Sequence, residues 1–379
     1  MRVRVLLLFG GRSAEHDVSR VSAAAVAAAL DPARYEVVPV AITTDGQWLL
    51  AGEAQAALAG TRDALPDAFR IEGHPVVEVP DPSQPALMAL DASAPDAPSP
   101  TNVDVVLPLL HGPYGEDGTV QGLFELAGLP YVGAGVIGSA LAMDKVAMKH
   151  AFAAADLPIA RWLTHRDGHP AAPFADEVEA ELGLPCFVKP ANMGSSVGVS
   201  KATDRAGLDA AIQRALTFDE WVIAEEAITG REIEVGILGD DPPEASVPGE
   251  IVPGDEFYSY TDKYEDDAVQ LLTPAPLPSE QADEVRGLAV RAFEACRGES
   301  MARVDFFLTE DRGFLVNEVN TIPGFTPVSM YPRLWAESGI PYSRLLDRLI
   351  GLALDRHQRR SSRAGRQRGV PGTEARPVT

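Results

Sequence analysis

Three polar residues near the end of the chain, Asp305, Glu318 and Asn320, have side chains of the kind that bind a hard metal ion. The stretch "ARVDFFLTEDRGFLVNEVN" predicts a β-hairpin that places Asp305 opposite Glu318. Alternate strand residues share a face, so Glu318 and Asn320 project to the same side. Magnesium prefers oxygen ligands and completes its shell with water and phosphate oxygens. A solvated strand end is the alternative, but Asp305 lies between Val304 and Phe306, where an unpaired charge is costly.

Phosphates bridged by such a metal need a binding loop, and residues 186–202 ("CFVKPANMGSSVGVSKA") supply a candidate. The segment is predicted to form a strand, a Gly/Ser loop and a second strand, with Lys189 at the end of the first strand. Backbone N–H groups of such a loop bind phosphate oxygens, and a lysine adds positive charge. The segment is not a Walker A loop, and a plain Gly-rich hairpin is the alternative. Lys145, in "AMDKVAMK", is a weaker candidate because most helical lysines are simply solvated.

Two further segments have the composition of ligand-binding regions. In "IAEEAITGREIE" an apolar strand runs into Glu225 and Glu226, and its backbone edge could hold an adenine. The loop in "LLHGPYGEDGTVQG" follows an apolar strand, where α/β domains place their ligand loops. His111 in this loop could be a catalytic base or a hydrogen-bonding loop residue.

The predicted elements that position these residues begin with an α/β unit. A strand, a glycine turn and an Ala-rich helix come first, and two more strands follow, the last of them apolar throughout (103–110). Residues 81–100 carry five prolines and are predicted to be an insertion or surface loop. Helices are predicted over 138–157, 279–297 and about 341–355, with a β-rich section after the first of them and an acidic, aromatic loop at 254–268. The predicted domains are 1–134 (N-terminal α/β), 135–223 (central) and 224–356 (C-terminal), followed by a disordered basic tail, 357–379.

Composition excludes several classes of protein. The chain has 379 residues, 46% of them hydrophobic, which is enough for a substantial core. A net charge of −23 argues against nucleic acid or an anionic membrane as partner. The two cysteines, Cys186 and Cys296, lie in apolar patterns and are predicted to be core residues in a reducing compartment. No apolar run approaches the roughly 20 residues of a spanning helix, so we expect a cytoplasmic protein.

Eight segments, taken in order, resemble the D-alanine–D-alanine ligases of the ATP-grasp superfamily. They are "GGRSAEHDVSRVSA", "HGPYGEDGTVQG", "MDKVAMK", "VKPANMGSSVGVS", "EEAITGREIEV", "YTDKYEDD", "ARVDFFL" and "NEVNTIPGFTPVSMYP". They extend to about residue 350. The proline-rich insertion and the basic tail lie outside the match.

The resemblance implies a fold, a reaction and a set of ligands. The fold would be three α/β domains, an N-terminal domain with an open parallel sheet and two ATP-grasp domains that hold ATP between them. The reaction would join two D-alanines at the expense of ATP, through an acyl phosphate, for peptidoglycan synthesis. Two magnesium ions, which manganese can replace, and a homodimer are also implied.

The resemblance further implies roles for individual residues. ATP contacts are implied for Lys145, Lys189, Ser195, Ser196, Glu225, Glu226, Ile228, Glu232 and Lys263. The metals would be bound by Asp305, Glu318 and Asn320. Glu15, with His111 nearby, would hold the ammonium of the first D-alanine, and Arg303, Gly324, Ser329 and Met330 would receive the second. Catalytic roles are implied for Glu15, Ser195, Tyr264, Arg303 and Gly324, with Tyr264 in a lid formed by loop 254–268. Glu226 departs from the pattern, since many relatives have lysine there.

Three alternatives stay open at this point. A relative that makes D-alanyl-D-lactate should lack Tyr264, whereas another ATP-grasp ligase would lack Glu15 and the "HGPYGEDG" loop. A binding protein without activity would be expected to lose Asp305, Glu318 or Arg303. All of these residues are present.

Overall fold

The computed structural model describes residues 2–50, 74–79, 86–89, 101–252, 270–326 and 328–363. Its strands are β1 (Val3–Gly10), β2 (Tyr35–Ile42), β3 (Trp48–Leu50), β4 (His74–Val79), β5 (Ala86–Ala89), β6 (Thr101–Asn102), β7 (Val105–Pro108), β8 (Trp162–Arg166), β9 (Cys186–Pro190), β10 (Ser200–Ala202), β11 (Trp221–Glu226), β12 (Arg231–Leu238), β13 (Glu244–Val252), β14 (Gln270–Leu272), β15 (Met301–Thr309) and β16 (Gly313–Asn320). Its helices are α1 (His16–Ala29), α2 (Thr119–Ala127), α3 (Val136–Met143), α4 (Lys145–Ala154), α5 (Ala171–Glu181), α6 (Arg205–Leu216), α7 (Ser279–Ala295), α8 (Met330–Glu337) and α9 (Tyr342–Ser361).

The N-terminal sheet has the order β6-β5-β4-β3-β2-β1-β7. Its β2, β1 and β7 strands are parallel and apolar, as predicted, and β1 is buried from Val5 onward. The predicted parallel sheet is wrong for the remainder, because β3 to β6 add to β2 as antiparallel strands. The predicted loop over 81–100 is also wrong in part, since Ala86–Ala89 form β5. The four apolar residues that follow Pro85 are long enough for a short strand.

The central sheet is antiparallel, in the order β10-β9-β11-β8. Helices α5 and α6 bury their apolar stripes against it, and residues such as Phe174, Ile212 and Val222 share one core. The hairpin of β9 and β10 carries the predicted phosphate loop between its strands. The predicted boundary between 223 and 224 falls inside β11, so by strand pairing the chain leaves this sheet after Glu226.

The C-terminal sheet has the order β14-β13-β12-β15-β16 and is antiparallel. Helix α7 packs on one face together with α4, whose Met148 and Phe152 share a core with Val304 and Val316. The single helix predicted over 138–157 is therefore two helices. Asp144 leaves the helical conformation (φ −82°, ψ 107°) and caps α4, accepting a hydrogen bond from the Ala147 N–H at 2.8 Å.

The last helix, α9, returns to the N-terminal sheet. Leu345, Leu349 and Ile350 lie in the same core as Val5 and Leu7 of β1. The predicted end near residue 355 is too early, and the first five residues of the predicted tail are helical. Two arginines in the extra residues of α9, Arg356 and Arg360, bind partners outside the helix and hold this part of it in place, as described below. Residues 364–379 lie outside the described part of the chain.

Candidate active site

The hairpin of β15 and β16 brings the predicted metal ligands together. Asp305 pairs with Glu318, as the sequence predicts, and Arg303 pairs with Asn320. The Asn320 Nδ2 donates to Asp305 Oδ2 at 2.9 Å. The register shifts between Asp305 and Phe306, which is a bulge next to the polar residues, and bulges of this kind re-aim side chains. All four polar side chains therefore meet at one end of the hairpin.

Arg303 is held in place by two carboxylates, one of which the sequence analysis missed. Its Nε and Nη2 donate to the two oxygens of Asp305 at 2.7 and 2.8 Å. Its Nε is also 3.2 Å from Oε1 of Glu234, a buried residue of β12 that lies opposite Asp305. Burial opposes its charge, but the charges of Asp305 and Glu234 keep the pKa of Arg303 well above its ordinary value. The signal for Glu234 was the alternation in "REIEV", which puts it on the same face as Glu232.

The donor set fits a hard divalent cation better than a soft one. Two carboxylates and the Asn320 amide oxygen are hard oxygen ligands, and none of the three is a thiolate or imidazole. Within the described residues, no group of three or more His, Cys, Asp or Glu side chains is placed to hold a metal. A bound cation would therefore need Asn320 and oxygens from the substrate to complete its shell.

A buried cluster of charges lies on the opposite wall, at β9 and β11. Glu225 accepts a hydrogen bond from Lys189 of β9 and lies 2.7 Å from the Nζ of Lys149 of α4. Burial opposes its ionisation, yet the two lysines hold the pKa of Glu225 far below its ordinary value. Lys149, with 2% of its side chain exposed, was missed. It lies four residues after Lys145, which is one helical turn, and this spacing was the available signal.

Lys145 lies at the first position of α4 and points to the phosphate loop. Its Nζ donates to the Met193 carbonyl at 2.6 Å, and its backbone N–H donates to the Ala191 carbonyl at 2.9 Å. Burial is the largest influence on its charge and lowers the pKa of Lys145, while the charge of Glu318 acts in the other direction. Lys189 is also influenced by Glu318: burial disfavours its charge, but Glu225 and then Glu318 raise the pKa of Lys189. Lys145 of α4 and Lys189 of β9 are thus both close enough to Glu318 of β16 for its charge to act on them.

The loop between β9 and β10 contains a turn with two serines in the left-handed conformation. Ser195 and Ser196 have φ values of 53° and 57°, and the Val197 N–H closes the turn by donating to the Gly194 carbonyl at 3.0 Å. The Ser195 Oγ is buried and has no hydrogen-bond partner within the described residues. A buried hydroxyl of this kind is costly unless a ligand or water binds it. Gly194 approaches the N-terminal domain, since a Cβ on it would lie 3.7 Å from the Gly112 Cα.

The loop after β7 is tied to the turn after β16. His111 is buried, and its Nδ1 lies 3.0 Å from the Ile322 carbonyl. Glu116, which the sequence analysis did not single out, accepts from the N–H groups of Gly112 (2.8 Å) and Ile322 (3.0 Å). Desolvation raises the pKa of Glu116 to about 7, His111 opposes that shift, and Glu15 adds to it. Glu15, His111 and Glu116 therefore form one group at the N-terminal wall, and Glu15 lies at the start of α1 as predicted.

The turn at 321–329 brings the predicted second-substrate residues together. A Cβ on Gly324 would lie 2.9 Å from the Ser329 Oγ, so a side chain at 324 would displace that hydroxyl. The Ser329 Oγ lies 2.7 Å from the Thr326 Oγ1. Ser329 is the residue directly before the first residue of α8. Met330 is buried in an apolar cluster, which leaves its backbone N–H as the group able to meet a substrate. Ser22 of α1 accepts from the Phe325 N–H at 3.3 Å and so links the turn to the first domain.

The residues predicted to contact the adenosine lie in different surroundings. Glu232 lies close enough to Lys189 for its charge to raise the pKa of that lysine, and Ile228 lies between β11 and β12. The Glu226 side chain instead pairs with Arg161 and Arg312. Lys263 and Tyr264 lie outside the described residues, as does the predicted lid at 254–268.

Among the described helices, none is long and apolar enough to cross a membrane.

Comparison with known proteins covers nearly the whole chain. Two family models match, the N-terminus of D-ala D-ala ligase at residues 4–134 and the C-terminus of D-ala D-ala ligase at residues 151–351. A D-alanine–D-alanine ligase of Geobacillus thermodenitrificans is 48% identical over 364 residues, 94% of this chain and 97% of the relative. One from Streptomyces griseus is 49% identical over 366 residues, 93% of each chain.

Two solved structures share the architecture. The D-alanine–D-alanine ligase of Coxiella burnetii superposes with a TM-score of 0.82 at 34% identity, covering 95% of this chain and 96% of that one. The VanG D-Ala:D-Ser ligase of Enterococcus faecalis gives 0.81 at 35% identity, covering 93% and 100%. With the three sheets and the charge arrangement described above, these matches show that the chain has the ATP-grasp fold and belongs to the D-alanine–D-alanine ligase family.

Proposed function

We propose that this protein uses ATP to join two D-alanines into D-alanyl-D-alanine, releasing ADP and phosphate, for peptidoglycan precursor synthesis. The observation that carries the proposal is the arrangement of charge between the two ATP-grasp sheets. Lys145, at the start of α4, and Lys189, on β9, both lie close enough to Glu318 of β16 for its charge to act on them. A cleft that combines lysines with oxygen ligands suits a nucleoside triphosphate with its divalent cations.

The ATP end of the cleft is assigned as follows. Lys145 and Lys189 contact phosphate oxygens, and the N–H groups and hydroxyls of Ser195 and Ser196 complete the phosphate site. Asp305, Glu318 and Asn320 would hold two magnesium ions, with manganese as a substitute. When bound, these ions offset charge on the phosphates and on the attacking carboxylate. Glu225 binds Lys189, so the role of Glu225 is to hold the Lys189 ammonium in position to contact a phosphate.

The amino-acid end is assigned to the N-terminal wall and the turn after β16. Glu15 binds the ammonium of the first D-alanine, close to His111 and Glu116. The carboxylate of that D-alanine takes the γ-phosphoryl group and becomes an acyl phosphate. Water must be excluded because an acyl phosphate hydrolyses readily. The contact between Gly194 and Gly112 helps to close this side of the site.

The second D-alanine enters from the turn side. Its carboxylate is bound by Ser329 and by the N–H of Met330 at the start of α8, where the helix dipole favours an anion. After its ammonium loses a proton, the amine attacks the acyl phosphate and an oxyanion develops. Arg303 and the Gly324 N–H stabilise that charge. Asp305 and Glu234 keep the guanidinium aligned for this purpose.

The direct test is ADP and phosphate release in the presence of magnesium and D-alanine, with L-alanine, glycine and D-serine in parallel. We expect release that depends on D-alanine, with D-alanyl-D-alanine identified by chromatography against a standard. The absence of D-alanine-dependent release would refute the proposal. A D-alanyl-D-serine product in excess would assign the second site to a different amino acid. We further propose that the protein is a cytoplasmic homodimer, which light scattering on the purified protein would check.

A further inference from the structure

The central and C-terminal sheets are joined by two chain crossings that lie side by side. One crossing runs from α4 to β8 through residues 155–161, and the other runs from β11 to β12 through residues 227–230. The Glu226 N–H donates to the Arg161 carbonyl at 3.1 Å, and the Val316 N–H donates to the Pro158 carbonyl at 2.7 Å. Any change in the separation of the two sheets must bend these segments.

Glu226 lies where the two crossings meet and binds both sides. Its Oε1 accepts from the Arg161 N–H at 2.8 Å and from Arg312 Nη1 at 2.7 Å, and its Oε2 accepts from Arg161 Nε at 2.8 Å. Arg312 belongs to the β15–β16 turn and also donates to the Ile159 carbonyl at 3.1 Å. Arg161 donates to the Glu181 carbonyl at the end of α5. One carboxylate thus connects the central sheet, the first crossing and the hairpin that carries Asp305.

Glu226 is the least exposed member of this group of ion pairs. Its side chain is 10% exposed, against 36% for Arg312 and 60% for Arg161. Burial alone would raise its pKa, but the hydrogen bonds from Arg161 and Arg312 lower the pKa of Glu226 below its ordinary value. Its neighbour Glu225 faces the opposite side of β11, into the cleft, where it binds Lys149 and Lys189.

We propose that Glu226 is a positioning residue which, through Arg161 and Arg312, holds the two sheets at the separation that ATP binding requires. The inference rests on the proposed use of this cleft for ATP. When only a fraction of the molecules has the conformation that can bind a ligand, the apparent Kd equals the intrinsic Kd divided by that fraction. Breaking the ion pairs of Glu226 should therefore raise the Kd for nucleotide and leave kcat, the turnover rate at saturating ATP, unchanged.

The experiment compares Glu226→Gln, Arg312→Gln and the double variant by calorimetric titration with Mg-ADP and by steady-state kinetics. We expect a Kd and a KM for ATP about fivefold higher in each single variant, and kcat within about twofold of the wild type. The double variant should bind no more weakly than Glu226→Gln, because the pair that Arg312→Gln removes is one of the two that Glu226→Gln already removes. The matched control is Glu179→Gln, which removes a pairing with Arg205 inside the central domain and should change neither constant.

Two results would overturn the proposal. Equal Mg-ADP affinity in the wild type and both single variants would remove the link from nucleotide binding. A loss confined to Glu226→Gln would show that the pair with Arg312 does not hold the hairpin at the separation that nucleotide binding requires. Amide hydrogen exchange at residues 157–161 and 226–230 supplies a readout that needs no ligand, and we expect faster exchange in both variants. Unchanged exchange in both variants would contradict the link. If the wild type itself binds no ADP, that outcome would count against the proposed function, and the exchange experiment would still test the link.

Discussion

Single residues decide whether the cleft can do chemistry, and Glu318 is the clearest case. It faces Asp305 across the hairpin, and its charge acts on Lys145 of α4 and Lys189 of β9. We expect Glu318→Gln to lower kcat at least about 100-fold, because one metal ligand and its charge are lost. The melting temperature should fall by no more than about 2 °C, since this change buries no new unpaired charge.

The control for that variant is Glu310→Gln, an exposed carboxylate at the other end of the same hairpin. Its kcat should equal that of the wild type. A Glu318→Gln protein that turns over normally in magnesium would exclude the side chain from the mechanism.

Glu116 gives a pH-dependent prediction. Its pKa is about 7 in the folded protein against 4.5 for the ordinary group, mainly through desolvation, with His111 and Glu15 as the charged neighbours. Between about pH 4.5 and pH 7 the folded state therefore holds a proton that the unfolded state has lost. Stability contributed by this site falls as pH rises through that window and is constant above it.

We therefore expect the free energy of unfolding of the wild type, relative to Glu116→Gln, to decrease by about 1–2 kcal/mol from pH 5 to pH 8. Urea unfolding at both pH values measures it. A difference that is independent of pH, or one that increases with pH, would contradict the assignment.

At the scale of elements, the break between α3 and α4 has a functional consequence. Asp144 caps α4, and the first residue of the helix is Lys145, whose N–H and Nζ both bind the segment that enters the phosphate loop. We expect Asp144→Ala to lower the free energy of unfolding by about 1 kcal/mol through loss of the cap. The KM for ATP should rise several-fold, because Lys145 is no longer fixed.

Asp144→Asn is the matched control, since an asparagine also caps helices well. It should keep both the stability and the KM. Equal KM values for the alanine and asparagine variants would show that the cap does not position Lys145.

Elements with a strong local pattern were predictable from the sequence. Helix α7 begins at Ser279 as expected and ends at Ala295, two residues before the expected end, and in the β15–β16 hairpin Asp305 lies opposite Glu318 as expected, because apolar periodicity and turn residues act locally. The break at Asp144 was missed because a capping residue inside an apolar helical pattern has little effect on periodicity. The site was predictable as motifs, whereas Lys149, Glu116 and Glu234 were not. Their partners are distant in sequence, so only the fold reveals the pairing.

At the scale of the whole molecule, the C-terminal helix belongs in space to the first domain. Arg356 is buried and donates to the Gly133 and Tyr131 carbonyls, both at 2.6 Å, and Arg360 pairs with Glu125 and Glu299. We expect a chain ending at residue 355 to unfold at a melting temperature at least about 5 °C lower, because buried carbonyls lose their donors.

A chain ending at residue 363 is the control, since it keeps all of α9. It should melt and turn over like the full chain. Equal melting temperatures for the two truncated chains would show that Arg356 and Arg360 do not contribute to stability.

The return of α9 to the first sheet also bears on how the protein is made. A ribosome releases the N-terminal strands first, but one face of their core needs Leu345, Leu349 and Ile350, which are synthesised near the end. Domains otherwise tend to fold in the order of synthesis. Until these last residues emerge, β1 and β7 keep an apolar face uncovered, a surface that chaperones bind and that favours aggregation. The first domain to be translated is thus among the last to be completed.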